Sequence, residues 1–256
     1  MHELISQLLR LYLPAGAPVP EGLEQHLDGR MTRAFDLAHG GAVRAIVIPF
    51  DRQPQANGAD PWERLCEAAN ALQGELGLPA PAVSISGAAG FRLWLSFQEP
   101  VPAAIAQEFL GQVVAAYCPG VALPQHGVLA LVELPPCLNG ATGKWAAFIH
   151  PGMGASFADE PALEMPPPPA AQAAFLQGLE SISQEQFRHA LAVLARGAGT
   201  AEAETQAATD AVAAPVPAVP AVPPGLLLKD ATLEDIVRLL HARNIEPTFR
   251  HLLPPR

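Results

Sequence analysis

The chain has 256 residues, 15 Lys and Arg against 25 Asp and Glu, a formal charge of −10 and a pI near 5.2. Half of it is hydrophobic, but 47 residues are Ala, aromatics make only 6%, and 28 Pro with 21 Gly fill about a fifth of the length. That is enough chain for one domain of roughly 150–200 residues plus tails, and its acidic balance excludes a protein that coats nucleic acid non-specifically unless a local basic groove forms.

In chain order, Leu4, Ile5, Leu8, Leu9, Leu11 and Leu13 fall at helical spacing and stop at Pro14. Ala42 to Phe50 is a short apolar, β-branched run ending at Asp51, and reads as a buried strand. Asp60 with Pro61 predicts a capped helix start, and Leu65, Ala68, Ala69, Leu72 and Leu76 form its inward stripe up to Gly77. Ala82 to Ile85 is a second strand, followed by the turn Ser86-Gly87-Ala88-Ala89-Gly90. From Phe91 to Phe97 the pattern alternates, which predicts a strand with two distinct faces: Phe91, Leu93, Leu95 and Phe97 on one, Arg92, Trp94 and Ser96 on the other. Pro102 to Tyr117 predicts an amphipathic helix through Ile105, Phe109, Val113 and Val114. Val128 to Leu134 and Lys144 to Ile149 read as further strands. Pro166 to Pro169 reads as a rigid extended segment. The helical stretch Ala171 to Leu194 carries capping-box spacing at Ser183 and Gln186, so it divides there into two helices.

From Gly197 the composition changes to Ala-rich and then Pro-punctuated sequence up to Gly225, which predicts a disordered linker. Thr232-Leu233-Glu234-Asp235 is a capping box opening a tail helix over 232–243. Its apolar face suits docking on a protein partner or back on the parent domain. The expected order is an α+β domain over 20–195, preceded by a helix and loop at 1–19 and followed by a linker at 196–225 and a helical tail at 226–256.

Cys66, Cys118 and Cys137 lie far apart with no CxxC pair, as expected of incidental thiols in a reducing compartment. The opening MHELISQLLRLYLPAG carries Glu3 and Arg10 and lacks the pattern of a signal peptide, and prolines break the longest apolar run. These features read as cytoplasmic, with no membrane partner. His126 and His150 stand alone, without the paired spacing of a metal site, and no G-x-S-x-G elbow supports hydrolase chemistry.

Three stretches carry a resemblance. HLDGRMTRAFDLAHGGAVRAIVIPFD (26–51), SGAAGFRLWLSFQEPVPA (86–103) and VLALVELPPCLNGATGKWAAFIHPG (128–152), in that order and followed by AFLQGLESIS (174–183), resemble the archaeo-eukaryotic primase superfamily. They are most similar to the primase-like domain of TOTE conflict systems. The resemblance implies an RRM-like sheet with helices and a nucleotide-adding activity using two metal ions. A D-x-D pair on one strand holds such ions because alternate residues share a face. Here Asp51 falls on the second Asp of that pair, and Pro49, which has no ligand atom, on the first. The family's phosphate-contacting His falls on Arg92, whose forked donors also grip phosphate.

The expectation is therefore a catalytically degenerate primase-like domain that binds nucleic acid or a nucleotide: the resemblance implies Asp51 and Arg92, and the residues themselves add Ser86 and Gly87 as a phosphate-cradling turn and Lys144 as a charged contact beside Trp145. Mg²⁺ or Mn²⁺ enters only if Asp51 keeps a residual metal site. Single-stranded or primer-template nucleic acid is the expected ligand. Each residue also has a plainer reading: Asp51 as a turn residue, Arg92 as the product of alternation, Ser86 and Gly87 as a hairpin turn, and Lys144 with Trp145 as a turn followed by a core aromatic. Two functional alternatives stay open. One is a protein-interaction scaffold without nucleic-acid binding; the other is an active metal-dependent nucleotidyltransferase with a rearranged site. A basic groove of Arg44, Arg52, Arg92 and Lys144 would favour nucleic-acid binding over the scaffold.

Overall fold

A computed structural model of the chain describes residues 1–52, 60–88 and 90–197. The chain clusters into two units, Met1–Ala201 and Glu202–Arg256, and only the first contains described residues. The linker beyond Gly197 and the 232–243 helix expected from the sequence lie outside the described residues.

The domain is an antiparallel sheet with helices on both faces. Its strands are β1 (Ala38–His39), β2 (Ala42–Asp51), β3 (Ala82–Ile85), β4 (Gly90–Pro102), β5 (Cys137–Leu138) and β6 (Trp145–Ile149), in the spatial order β1-β2-β4-β3-β6-β5. The helices are α1 (His2–Tyr12), α2 (Leu23–Leu27), α3 (Pro61–Gly74), α4 (Ala103–Tyr117), α5 (Pro169–Gln177) and α6, which covers 184–197. The long pair β2 and β4 forms the centre, in register from Ala42 opposite Pro102 to Asp51 opposite Gly90, with an irregularity between Val43 and Ala45.

One face of the sheet is closed. Ile46, Ile48 and Phe50 of β2, Phe91, Leu93, Leu95 and Phe97 of β4, and Val83 and Ile85 of β3 pack there against α3, α4 and α6. Phe97, Phe109 and Phe187 meet edge to face, with ring centroids 5.0–6.4 Å apart. The helices start where their caps dictate. The Asp60 side chain accepts a bond from the Trp62 amide at 3.2 Å with Pro61 in the first turn. Ser183 and Gln186 bond reciprocally, at 3.0 and 3.2 Å, and open α6 as the sequence pattern predicts.

The other face is covered over only part of its area. α1 lays Leu4, Leu8, Leu11 and Tyr12 onto Trp94 and Phe148, and α5 adds Ala173 and Leu176. Arg10 ties the two helices by donating to the Leu176 carbonyl at 2.8 Å. The buried Gln172 amide bonds both the N–H and the C=O of Phe148, each at 2.9 Å, standing in for a strand neighbour beyond two-residue β5.

Several expectations are corrected. The face of β4 that carries Arg92, Trp94 and Ser96 is interior over part of its length: Trp94 is 2% and Ser96 8% exposed, and Trp94 lies under α1 and α5. Strand alternation reports only that the faces differ; here one face is sealed and the other is covered as far as Trp94 and left open at Arg92. Val128 to Leu134 is not a strand. Gly127–Leu129 forms a 3-10 turn, a single bridge links Val132 to Phe35, and Leu129 and Leu131 are exposed. The Pro135-Pro136 pair that follows lacks the amide hydrogens a ladder needs. Ile105 also points outward rather than into the core.

Candidate functional site

Where α1 and α5 stop, the second face of the sheet lies open as a cleft of about 560 Å³, a volume typical of small-ligand sites. Its floor alternates as a strand face must: Ala45, Val47, Pro49 and Asp51 from β2, Arg92 and Trp94 from β4, Ser84 from β3 and Ala146 from β6. A wall built from 122–139 contributes Leu123, Leu131, Val132, Glu133, Pro135 and Asn139. Trp94 is pinned at the base by donating from Nε1 to the Ser84 hydroxyl at 2.8 Å.

Pro49 sits in β2 at no cost to the ladder. β1 pairs with β2 only at Ala42 and Val43, so beyond them β2 has β4 alone as a strand neighbour among the described residues. An edge position tolerates a missing amide hydrogen. Pro49 is directly opposite Arg92, and Asp51 is two residues on, on the same face.

Arg92 Nη1 donates to Asp51 Oδ1 at 2.6 Å and to its neighbour's carbonyl, Phe91 O, at 2.9 Å. The Asp51 side chain is 52% exposed and the Arg92 side chain 30%. Three positions that the resemblance singles out, 49, 51 and 92, thus adjoin one another at the cleft. Their chemistry does not fit a two-metal centre: Pro49 brings no donor atom and the Asp51 carboxylate is held by a cation. Among the described residues no group of three or more His, Cys, Asp or Glu is arranged to hold a metal ion.

Ser86 and Gly87 form a docked turn. The Ser86 hydroxyl accepts bonds from the amides of Ala88 and Gly90 at 3.2 and 3.1 Å, and the Gly87 amide donates to Pro161 O at 3.0 Å. These amides are spent on the fold, so among the described residues of the turn they form no nest of free donors for a phosphate. Gly87 takes a φ of +72°, and a Cβ there would lie 3.0 Å from the Ala146 amide nitrogen, so the turn requires glycine.

Lys144 sits outside the cleft. It pairs with Glu160 and with Glu164, the latter at 2.8 Å, and both carboxylates hold its ammonium above the ordinary lysine range. Trp145 beside it is buried against Gly29. Arg44 donates to Phe97 O and Gln98 O, and Arg52 to Ala158 O and Asp159 O. Of the four cations of the expected basic groove only Arg92 lines the cleft; Arg44 is turned to the β4 carbonyls, Arg52 and Lys144 bond to residues of the segment 158–164, and each is engaged by the protein. His150 caps the turn that follows it, its Nδ1 accepting from the Gly152 amide at 3.1 Å.

The wall has its own fastening. His26, fully buried, bonds Leu134 O through Nε2 at 2.8 Å, while its Nδ1 accepts the Arg33 amide at 2.9 Å. The acceptor role at Nδ1 makes the ring neutral with its proton on Nε2. Burial holds its pKa below the ordinary histidine value, against a smaller upward pull from the Leu134 carbonyl and Glu133. Cys118 and Cys137 are free, buried thiols, raised by desolvation to about 11 and about 12. Desolvation outweighs the pull of Arg64 on Cys118, and Glu133 adds to the rise at Cys137, so neither is a reactive thiolate. Sequence reading missed Glu133 and Asn139 as lining residues because 122–139 is irregular and offers no period to follow.

No family model matches the chain, and no curated protein matches it. Among solved structures, the chain is similar to the AEP domain of the cyanophage S-2L primase-polymerase, at 20% sequence identity and a TM-score of 0.32, over 55% of this chain and 62% of that one. The chain thus spans less than two thirds of the length of that domain.

Proposed function

We propose that this domain is a primase-like module without two-metal catalysis, whose cleft binds the phosphate-bearing part of a nucleotide or a nucleic-acid strand. The observation that supports the reading most is the convergence of Pro49, Asp51 and Arg92. Residue matching picked them from two separate stretches, and they adjoin across β2 and β4 on the floor of one open cleft. A guanidinium at a cleft floor is suited to phosphate, because its planar fork matches two oxygens at once. Polymerisation needs carboxylates from more than one position; this cleft offers Asp51, held by Arg92 beside a proline, and Glu133 on its wall, and among the described residues no group of three or more His, Cys, Asp or Glu is arranged to hold a metal ion.

Fluorescence anisotropy at low salt with labelled single-stranded and primer-template DNA tests the reading, with a primer-synthesis assay in Mg²⁺ and Mn²⁺ alongside. Binding without synthesis is expected. Synthesis that Asp51→Ala abolishes would establish the nucleotidyltransferase instead.

The scaffold reading is favoured by one observation of its own. Arg44, Arg52 and Lys144 are bound to acceptors away from the cleft, so the cleft lacks the run of cations that tracks a nucleic-acid backbone. Absence of binding to any strand or nucleotide at low salt would select it.

A further inference from the structure

We infer that Asp51 is not a ligand-binding carboxylate but the internal occupant of an anion site on Arg92, which a phosphate-bearing ligand fills by displacing it. This rests on the reading of the cleft given above and assigns Asp51 the opposite role to the one a metal-binding motif would give it.

The geometry of the pair carries the inference. Asp51 Oδ1 lies 2.6 Å from Arg92 Nη1 at the floor of an open cleft. The carboxylate gets there by lying across Gly90, its partner in the ladder: a Cβ at Gly90 would collide with Oδ1 and would lie 2.8 Å from the Asp51 Cα. Glycine at that position thus keeps open the path from Asp51 to Arg92.

The two members are unequally held. Arg92 has a second bond, to Phe91 O, and is 30% exposed; the Asp51 side chain is 52% exposed and can return to water. Among the described residues no bond uses Arg92 Nε or Nη2, so donors remain for an incoming anion. Carboxylate and phosphate are the two anions a guanidinium fork fits. Replacing one by the other is a simple exchange in which Asp51 is rehydrated and no proton or metal is needed.

The exchange lowers apparent affinity by the stability of the resting pair. A half-exposed ion pair is weak, so removing the competitor is expected to tighten binding about two- to fivefold. Calorimetric titration with inorganic triphosphate at low ionic strength tests this on wild type, Asp51→Asn, Asp51→Ala, Arg92→Gln and the Asp51→Asn/Arg92→Gln double variant. Both Asp51 variants are expected to bind tighter than wild type, and both proteins with Arg92→Gln are expected to lose binding. Two Asp51 variants are included so that one with a lowered melting temperature does not decide the outcome.

If wild type binds and neither folded Asp51 variant binds tighter, the inference is overturned while the anion-binding cleft stands. If neither wild type nor the Asp51 variants bind triphosphate, or Arg92→Gln binds as well as wild type, the reading of the cleft itself falls and the inference with it.

Discussion

The two faces of the sheet are made from the same strands and do different work. On the closed face Ile46, Ile48 and Phe50 of β2 and Phe91, Leu93, Leu95 and Phe97 of β4 meet α3, α4 and α6, and all seven are at most 2% exposed. On the other face the intervening residues begin under α1 and α5 and run out into the open. There Ala45 and Trp94 are buried, while Arg92 and Asp51 are solvent-accessible. Burial is deep on the sealed face and under α1 and α5, and Arg92 and Asp51 lie at the open end of the second face, outside both core clusters.

That contrast breaks first at the aromatic cluster. Phe109→Ala removes a ring that touches both Phe97 and Phe187. It is expected to cost about 3–5 kcal/mol, read as a large drop in denaturant midpoint. Next comes Gly87→Ala on the turn beside the cleft, where φ is +72° and the new methyl meets backbone at 3.0 Å. A loss of about 1–3 kcal/mol is expected there.

A smaller, pH-dependent effect comes from His26. Its folded pKa is lowered, so as pH falls the unfolded chain takes up the proton first, and stability present above about pH 6.5 is lost below it. One proton limits the slope to about 1.4 kcal/mol per pH unit. Thermal melts of wild type and His26→Gln between pH 7.5 and 5 should differ in slope, the variant being flatter. The smallest effect belongs to the open end: Asp51→Ala, which breaks one half-exposed ion pair, should leave stability within about 1 kcal/mol of wild type. A loss as large as that of Phe109→Ala would erase the distinction between the faces.

Much of the helical framework on both faces was legible in the sequence, because period and caps are local signals. Leu4, Leu8 and Leu11 mark α1, Asp60-Pro61 starts α3, and Ser183 with Gln186 divides α5 from α6. The site was legible in part. Matching of short stretches selected Pro49, Asp51 and Arg92, which the fold brings together, and also Lys144, which it places in a separate ion cluster with Glu160 and Glu164. Nothing local marks that difference, since it depends on where the segment 160–164 crosses β6. The cleft wall was misread for the same reason. Val128 to Leu134 has the composition of a strand, but a strand forms only where a neighbour offers a ladder, and here just Val132 finds one. Covering of the Trp94 side of β4 was hidden too, because burial of a polar-looking face is decided by α1, which lies some 80 residues earlier in the chain.

The central claim is that Arg92 makes this cleft an anion site that works without a metal. Calorimetric titration of a nucleoside triphosphate in EDTA, into wild type and Arg92→Gln, tests it directly. Wild type is expected to bind with no divalent ion present, and the variant to bind at least about tenfold, ~1.4 kcal/mol, more weakly. Binding that requires Mn²⁺ and disappears in Asp51→Ala would contradict it.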